Sequence, residues 1–340
     1  MPMNSRQRGF TIVEFMIAMT LSMVVVAALT AAFIGNSQSR AVIERANQQI
    51  ESARYAMETI KDDLELAGYW SHFNIRNAGL AVPAALPNPC STSLADLTTA
   101  LPVNIQGYDG GAALTCIADR KANSDIVVVR RVATCVAGTT DCAVVSGAPY
   151  FQASLCNAST ELGAVSSAQH FRLDTDQANL DRTQRDCVTA AERRRYLTHI
   201  YFIANNDQSG DGIPTLKRAE LGAGSFTTTS IAHGIESLQL NYGIDTNGDG
   251  NPEVFNANPS TYNSCAGAAC VQNWVDVMSV KVFLLAREAE QTTGHKDTKT
   301  YRLGQAADDS IISLGPFNDA FKRHVYQSVI RLQNPAVRRE

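Results

Sequence analysis

Residues 6–14 read Arg-Gln-Arg-Gly-Phe-Thr-Ile-Val-Glu, and they open the segment 10–34, FTIVEFMIAMTLSMVVVAALTAAFI, in which Glu14 is the single charge. As a helix these 25 residues extend about 37 Å at about 1.5 Å per residue, enough to cross a hydrocarbon core of about 30 Å. Arg6 and Arg8 precede the apolar run, so the positive-inside rule places the N-terminus in the cytoplasm and the remainder outside. An ordinary cleaved secretory signal has a shorter apolar region and a small-residue cleavage site. Ala27-Ala28 and Ala31-Ala32 supply such residues, but the run is long for that purpose. Glu14 is the anomaly. A carboxylate within an apolar span costs about 2.5–3.5 kcal/mol at the membrane centre and less near its edge. Either it snorkels to the interface or it waits for a cationic partner.

Beyond the apolar run, no Pro or Gly interrupts residues 36–67, so the helix is expected to continue into water. Ile43, Ala46, Ile50, Ala53, Met57, Ile60, Leu64 and Ala67 recur at alternating spacings of three and four, one apolar stripe on one helical face. Glu44, Arg45, Glu51, Arg54, Glu58, Lys61 and Asp62 fall mostly off it. Gly68 suits the position that ends a helix. The stripe fits a coiled-coil partner, and its alternate alanines fit close docking on a sheet.

The N-terminal pattern resembles the class III signal of type IV prepilins: a short basic leader, a Gly, then a Phe with Glu four residues on. The resemblance implies cleavage by a prepilin peptidase after Gly9 and N-methylation of Phe10. It also gives Glu14 the role of pairing with the N-terminal amine of a neighbouring subunit during assembly. The implied shape is a long helix, half in the membrane and half packed on a globular domain. Many major pilins carry a Pro that kinks this helix where this chain has Ala31, which leaves a kink there in doubt.

After Gly68 the pattern changes to short strands among Gly, Asn, Asp, Ser and Pro turns. Residues 80–124 are loop-rich and 135–195 are mixed. Strands are expected over 125–130, 196–204, 235–242, 275–285 and 325–332, each with alternating or continuous apolar character. No helix–strand alternation suggests parallel units, so the expected class is α+β, with the long helix on an antiparallel sheet. Residues 234–250 (GIESLQLNYGIDTNGDG), 274–287 (WVDVMSVKVFLLAR) and 321–334 (FKRHVYQSVIRLQN) resemble minor pilins of the PilW type. The resemblance covers residues 6–70 and about 196–334, and implies a subunit that helps to prime pilus assembly at or near the fibre tip.

Cys90, Cys116, Cys135, Cys142, Cys156, Cys187, Cys265 and Cys270 all lie on the side expected outside the membrane, where an even count favours disulfides. Sequence allows 105 pairings. The short separations single out Cys135–Cys142 and Cys265–Cys270 as local bridges. The absence of C-x-x-C and the scatter of six His argue against zinc. Asp245, Asn247, Asp249, Asn251 and Glu253 follow the alternating oxygen pattern of a calcium loop, with Gly250 for the sharp turn. Asn256 stands where the usual bidentate Glu would be. The run 207–212 (DQSGDG) is a weaker copy, and both segments also read as hairpin turns without metal.

Lys plus Arg number 29 against 33 Asp plus Glu, a formal charge of −4 that offers no basic excess for nucleic acid. An apolar content of 45% with 18% charge supports a folded chain. No P-loop, dinucleotide fingerprint, nucleophile elbow or zincin motif is present, so no catalytic role is expected and no cofactor is required beyond possible calcium. The expected organisation is a leader over 1–9, a membrane segment over 10–34, a periplasmic helix over 35–68 and a β-rich periplasmic domain over 69–340. Expected partners are other minor and major pilins, prepilin peptidase, the inner-membrane assembly machinery and membrane lipid. Two other readings share these features: a type II secretion pseudopilin, and a periplasmic binding protein held by an uncleaved anchor.

Overall fold

A single helix, α1 (Ile12–Glu65), begins the fold and passes through both units of the chain, residues 1–48 and 49–340. The computed structural model describes residues 9, 11–75 and 79–337. In the first unit the side chains from Ile12 to Ile34 are exposed and almost wholly apolar. The hydroxyls among them are consumed by the helix itself. Thr20 donates to the carbonyls of Met16 and Ile17, Ser22 to that of Met19, and Thr30 to that of Val26. No donor of these side chains is left facing an apolar solvent, which is the condition for a helix in lipid.

In the second unit the last turns of α1 bury Ala53, Ala56, Ile60, Asp63 and Leu64. The expected stripe is therefore only half right. Ile43 and Ile50 are exposed, at 61% and 38%, and Ala56 and Asp63 take the places on the buried face. Burial begins late in the helix and follows a face rotated slightly from the all-apolar one. The alanines let the helix approach closely, while Ile60 and Leu64 each contribute about 2 kcal/mol of burial. Gly68 ends this segment at φ +70°, and its amide donates to the Arg130 carbonyl. A Cβ there would lie 2.6 Å from Asn104.

Two antiparallel sheets and a ribbon complete the fold, confirming an α+β, pilin-like layout with two main sheets in place of one. Strands β1 (Ile105–Tyr108), β2 (Ile126–Val132), β3 (Tyr150–Ala153), β4 (Phe171–Asp174), β5 (Arg193–Ala204), β6 (Thr215–Leu221) and β7 (Phe226–His233) form the first. Its twelve-residue β5 pairs with β2 on one side and with β3 and β6 on the other. Strands β8 (Ile235–Ile244), β9 (Val254–Asn256) and β10 (Val277–Arg287) belong to the second, and β11 (Tyr301–Gln305) with β12 (Ile311–Leu314) makes the ribbon. The last strand, β13 (Arg323–Arg331), closes the second sheet in the order β13-β10-β8-β9. Gly234, at φ +74°, is the sole residue between β7 and β8 and lets the chain change sheets without a loop. The strand expected from residue 275 starts later, because Ala268–Val275 forms a helix that buries Val271 and Trp274.

The main core joins the end of α1 to both sheets through Val127, Tyr201, Leu240, Tyr242, Val282 and Leu284, among others. A second core holds Trp70, Phe73, Phe151, Phe171 and Tyr196, with Trp70 stacked on Tyr196 at 5.5 Å. It is covered by the irregular segment containing the short helix α2 (Leu94–Thr99), which buries Leu97. Disulfides Cys90–Cys116, Cys135–Cys142, Cys156–Cys187 and Cys265–Cys270 tie the loops. Arg323 fastens the long β10–β13 connection. Its guanidinium meets Glu236 at 2.6 Å, Asp297 at 2.9 Å and Asp319 at 2.7 Å, and stacks on Phe317.

Candidate functional site

The start of α1 carries the residues singled out for processing and assembly. Gly9 is exposed, with no atom of the described residues near the position a Cβ would take. Phe10 and leader residues 1–8 lie outside the described residues. Thr11 caps the helix. Its hydroxyl accepts the Glu14 amide at 3.3 Å, while one Glu14 carboxylate oxygen accepts both the Thr11 amide and hydroxyl at 2.9 Å. This reciprocal capping box satisfies two otherwise orphaned amides at the apolar end of a helix. Sequence reading isolated Glu14 as a charge and missed Thr11 as its local partner, although Thr-x-x-Glu before an apolar run is the recognised signal.

A second carboxylate on α1 went unread. Asp63 is buried, with its Oδ2 2.7 Å from His199 Nδ1 and its Oδ1 accepting from Arg131 Nε at 2.6 Å. His199 Nε2 in turn lies 3.3 Å from Glu220, which also meets Arg195 and Arg218. Burial alone would raise the Asp63 pKa, but His199 and then Arg131 outweigh it and hold the group at about 2. The His199 contact, then the nearby arginines, likewise hold Glu220 at about 2 against burial. For His199, burial pulls downward and the Asp63 carboxylate, followed by Glu220, raises the pKa overall. The signal for Asp63 was its place between Ile60 and Leu64 on the buried face. Its partners lie 68 and 136 residues away, beyond any local pattern.

Residues 200–334 match the family model for type IV pilus-assembly protein W, and residues 4–30 match the prokaryotic N-terminal methylation motif. Over these two stretches the chain is similar to PilW-type pilins. Residues 31–199 lie outside both matches. Comparison with curated proteins and with solved structures returns no match. The matched family is structural in type, and the methylation motif together with the exposed apolar helix supports a membrane-anchored, pilus-associated protein.

The oxygen-rich turn joins β8 to β9. Carboxylate oxygens of Asp245, Asp249 and Glu253 lie within 4.8 Å of one another, Asp245 buried and the other two exposed. Much of their capacity serves the turn itself. Asp245 accepts the amides of Asn247, Gly248 and Gly250, Asp249 accepts that of Asn251, and Glu253 accepts that of Thr246. Asn247 accepts the Asp249 amide, and Asn256 turns to the Asn258 amide rather than completing the loop. The three carboxylates could hold a cation, but the donor set is short of a bidentate twelfth ligand. The weaker copy at 207–212 is a β5–β6 turn closed by Asp211, with Lys217 Nζ donating to the Asp207 carbonyl. A side-chain cation already occupies its inner edge.

Proposed function

We propose that this pilin is a minor subunit of a type IV pilus, cut after Gly9 by prepilin peptidase, methylated on Phe10, and active in initiating assembly at or near the fibre tip. The observation that carries the reading is the pairing of the two matches: a methylation motif on residues 4–30 and a PilW domain on residues 200–334. The domain favours a pilus over a secretion system as the assembly served. The chemistry of Glu14 supports the same reading. From Gly9 to Ser39 it is the single charged residue, and its neighbours on the helix are exposed and apolar. Thr11 supplies hydrogen bonds but no positive charge. In lipid a carboxylate is best neutralised by a cation, and the new α-amine of another processed subunit is such a group. The chain then sits in the inner membrane with its N-terminus cytoplasmic and its second unit periplasmic, beside other pilins and the assembly machinery.

Intact mass of the chain produced with and without prepilin peptidase tests the processing step. Loss of residues 1–9 with one added methyl is expected, and Gly9→Ala should abolish both changes. A Glu14→Ala strain should process the chain normally yet incorporate it poorly into pili. An unchanged mass with active peptidase would return the chain to the uncleaved-anchor reading, and normal pili from the Glu14→Ala strain would remove the assembly role of that carboxylate.

A further inference from the structure

The seven-stranded sheet buries a guanidinium that meets no carboxylate among the described residues. Arg130, on β2, is 1% exposed, and its guanidinium donates to two neutral oxygens: the Val103 carbonyl at 3.1 Å and Gln106 Oε1 at 2.9 Å. The titratable groups facing it are the phenols of Tyr108 and Tyr196. Arg323 provides the contrast within the same chain, since its equally buried side chain is answered by three carboxylates.

Register brings further unpartnered donors to the same place. Thr198 of β5 stands directly opposite Arg130, and Tyr196 lies two residues away on the same face of that strand. Tyr196 and Thr198 are 0% and 1% exposed, and among the described residues neither hydroxyl makes a hydrogen bond of good geometry, the two standing near enough only for a weak one to each other. The Tyr108 hydroxyl, on the adjoining edge strand, already accepts from Gln106 Nε2 at 2.7 Å. Leu97 and Leu101, in and beside α2, pack in the same core as Tyr196 and keep this face from water. A guanidinium offers five N–H donors, and a hydroxyl offers one. The set is thus rich in donors, positive, buried and without a charged acceptor. A water molecule would satisfy donors but leave the charge; a small anion does both.

We propose that Arg130, Tyr196 and Thr198 bind a small monovalent anion of the halide class, chloride in ordinary salt, beneath the α2 segment. The anion would neutralise Arg130 and fasten the irregular cover to the sheet. The inference goes beyond the assembly reading and stands without it.

The test uses the full chain in detergent, with chloride exchanged for gluconate at constant ionic strength. A melting temperature about 2–4 °C higher in 100 mM chloride is expected, with bromide able to replace chloride. Line broadening of chloride-35 NMR by the unmodified chain provides a direct reading of binding. Arg130→Gln should abolish both effects. Thr198→Val keeps the shape of the side chain and should weaken chloride binding about fivefold even if the arginine variant fails to fold. Equal melting in chloride and gluconate without broadening would overturn the proposal. So would broadening that Thr198→Val leaves at full strength, which would place the ion elsewhere.

Discussion

The two carboxylates of α1, Glu14 and Asp63, occupy opposite circumstances on one helix. Glu14 stands in an exposed apolar segment and, among the described residues, is answered by Thr11, three residues away. Asp63 is buried, and it is answered by Arg131 and His199 from two different strands. The first charge is held by its own turn of helix and contributes little to the remainder of the chain. The second is held by the tertiary fold and exists only when the fold does. An acid satisfied locally remains available to another molecule, whereas an acid satisfied by long-range partners is a lock.

That difference can be broken by measurement. Asp63→Ala leaves Arg131 and His199 without their shared acceptor, and should cost about 3–5 kcal/mol in urea unfolding of the full chain in detergent. Under the same conditions Glu14→Ala should cost no more than about 1 kcal/mol, the value of a helix cap. Similar losses for the two variants would erase the distinction drawn here.

The pH dependence sharpens it. Asp63 and Glu220 are held at about 2, below their unfolded values, so the stability they carry is present above about pH 4 and is lost as pH falls toward 2. His199 is raised, so its contribution is full below about pH 6.5 and is lost as pH rises through the folded value. Asp125 acts in the same direction. Burial first, then the Asp109 charge, pushes it up to about 7 despite amides from Gly110 and Leu240. Its stabilising effect is complete below about pH 4 and disappears as pH passes 7. Melting temperature is therefore expected to fall on both sides of a mildly acidic maximum. Substituting His199 by Gln should flatten the alkaline limb, and an unchanged alkaline limb would sever His199 from the lock.

The smallest effect belongs to the β8–β9 turn, whose carboxylates are satisfied locally, as Glu14 is. We propose at most a weak calcium site there, in the millimolar range of extracellular modules. At 5 mM calcium the gain would be about 1 kcal/mol for a Kd near 1 mM, and Asp249→Asn should remove it. Calorimetry without calcium heat at 5 mM would leave the turn as a hairpin closed by its own amides.

Legibility in the sequence followed the range of the interactions. Strand β8 was readable from the alternation of Leu238, Leu240, Tyr242 and Ile244 with polar residues, β10 because it is a nearly continuous apolar run, and the membrane segment because its composition changes abruptly at Phe10 and again after Ile34. The capping box was readable in principle, being four residues long. The middle third was not. Its strands β3 and β4 have four residues each, and their order comes from the pairing of β3 with β5, of β4 with β3, and from an aromatic cluster assembled from Trp70 to Tyr196. Asp63 was hidden for the same reason. A single acid beside an apolar stripe reads as solvent-facing until His199 and Arg131 are known to lie opposite it.

The four disulfides join the cysteines strictly in chain order: Cys90 with Cys116, Cys135 with Cys142, Cys156 with Cys187, and Cys265 with Cys270. No bridge encloses or crosses another. If the second unit crosses the membrane in chain order, as the proposed topology requires, each cysteine meets its native partner as the next one to arrive. Oxidation on emergence would then yield the native set without reshuffling.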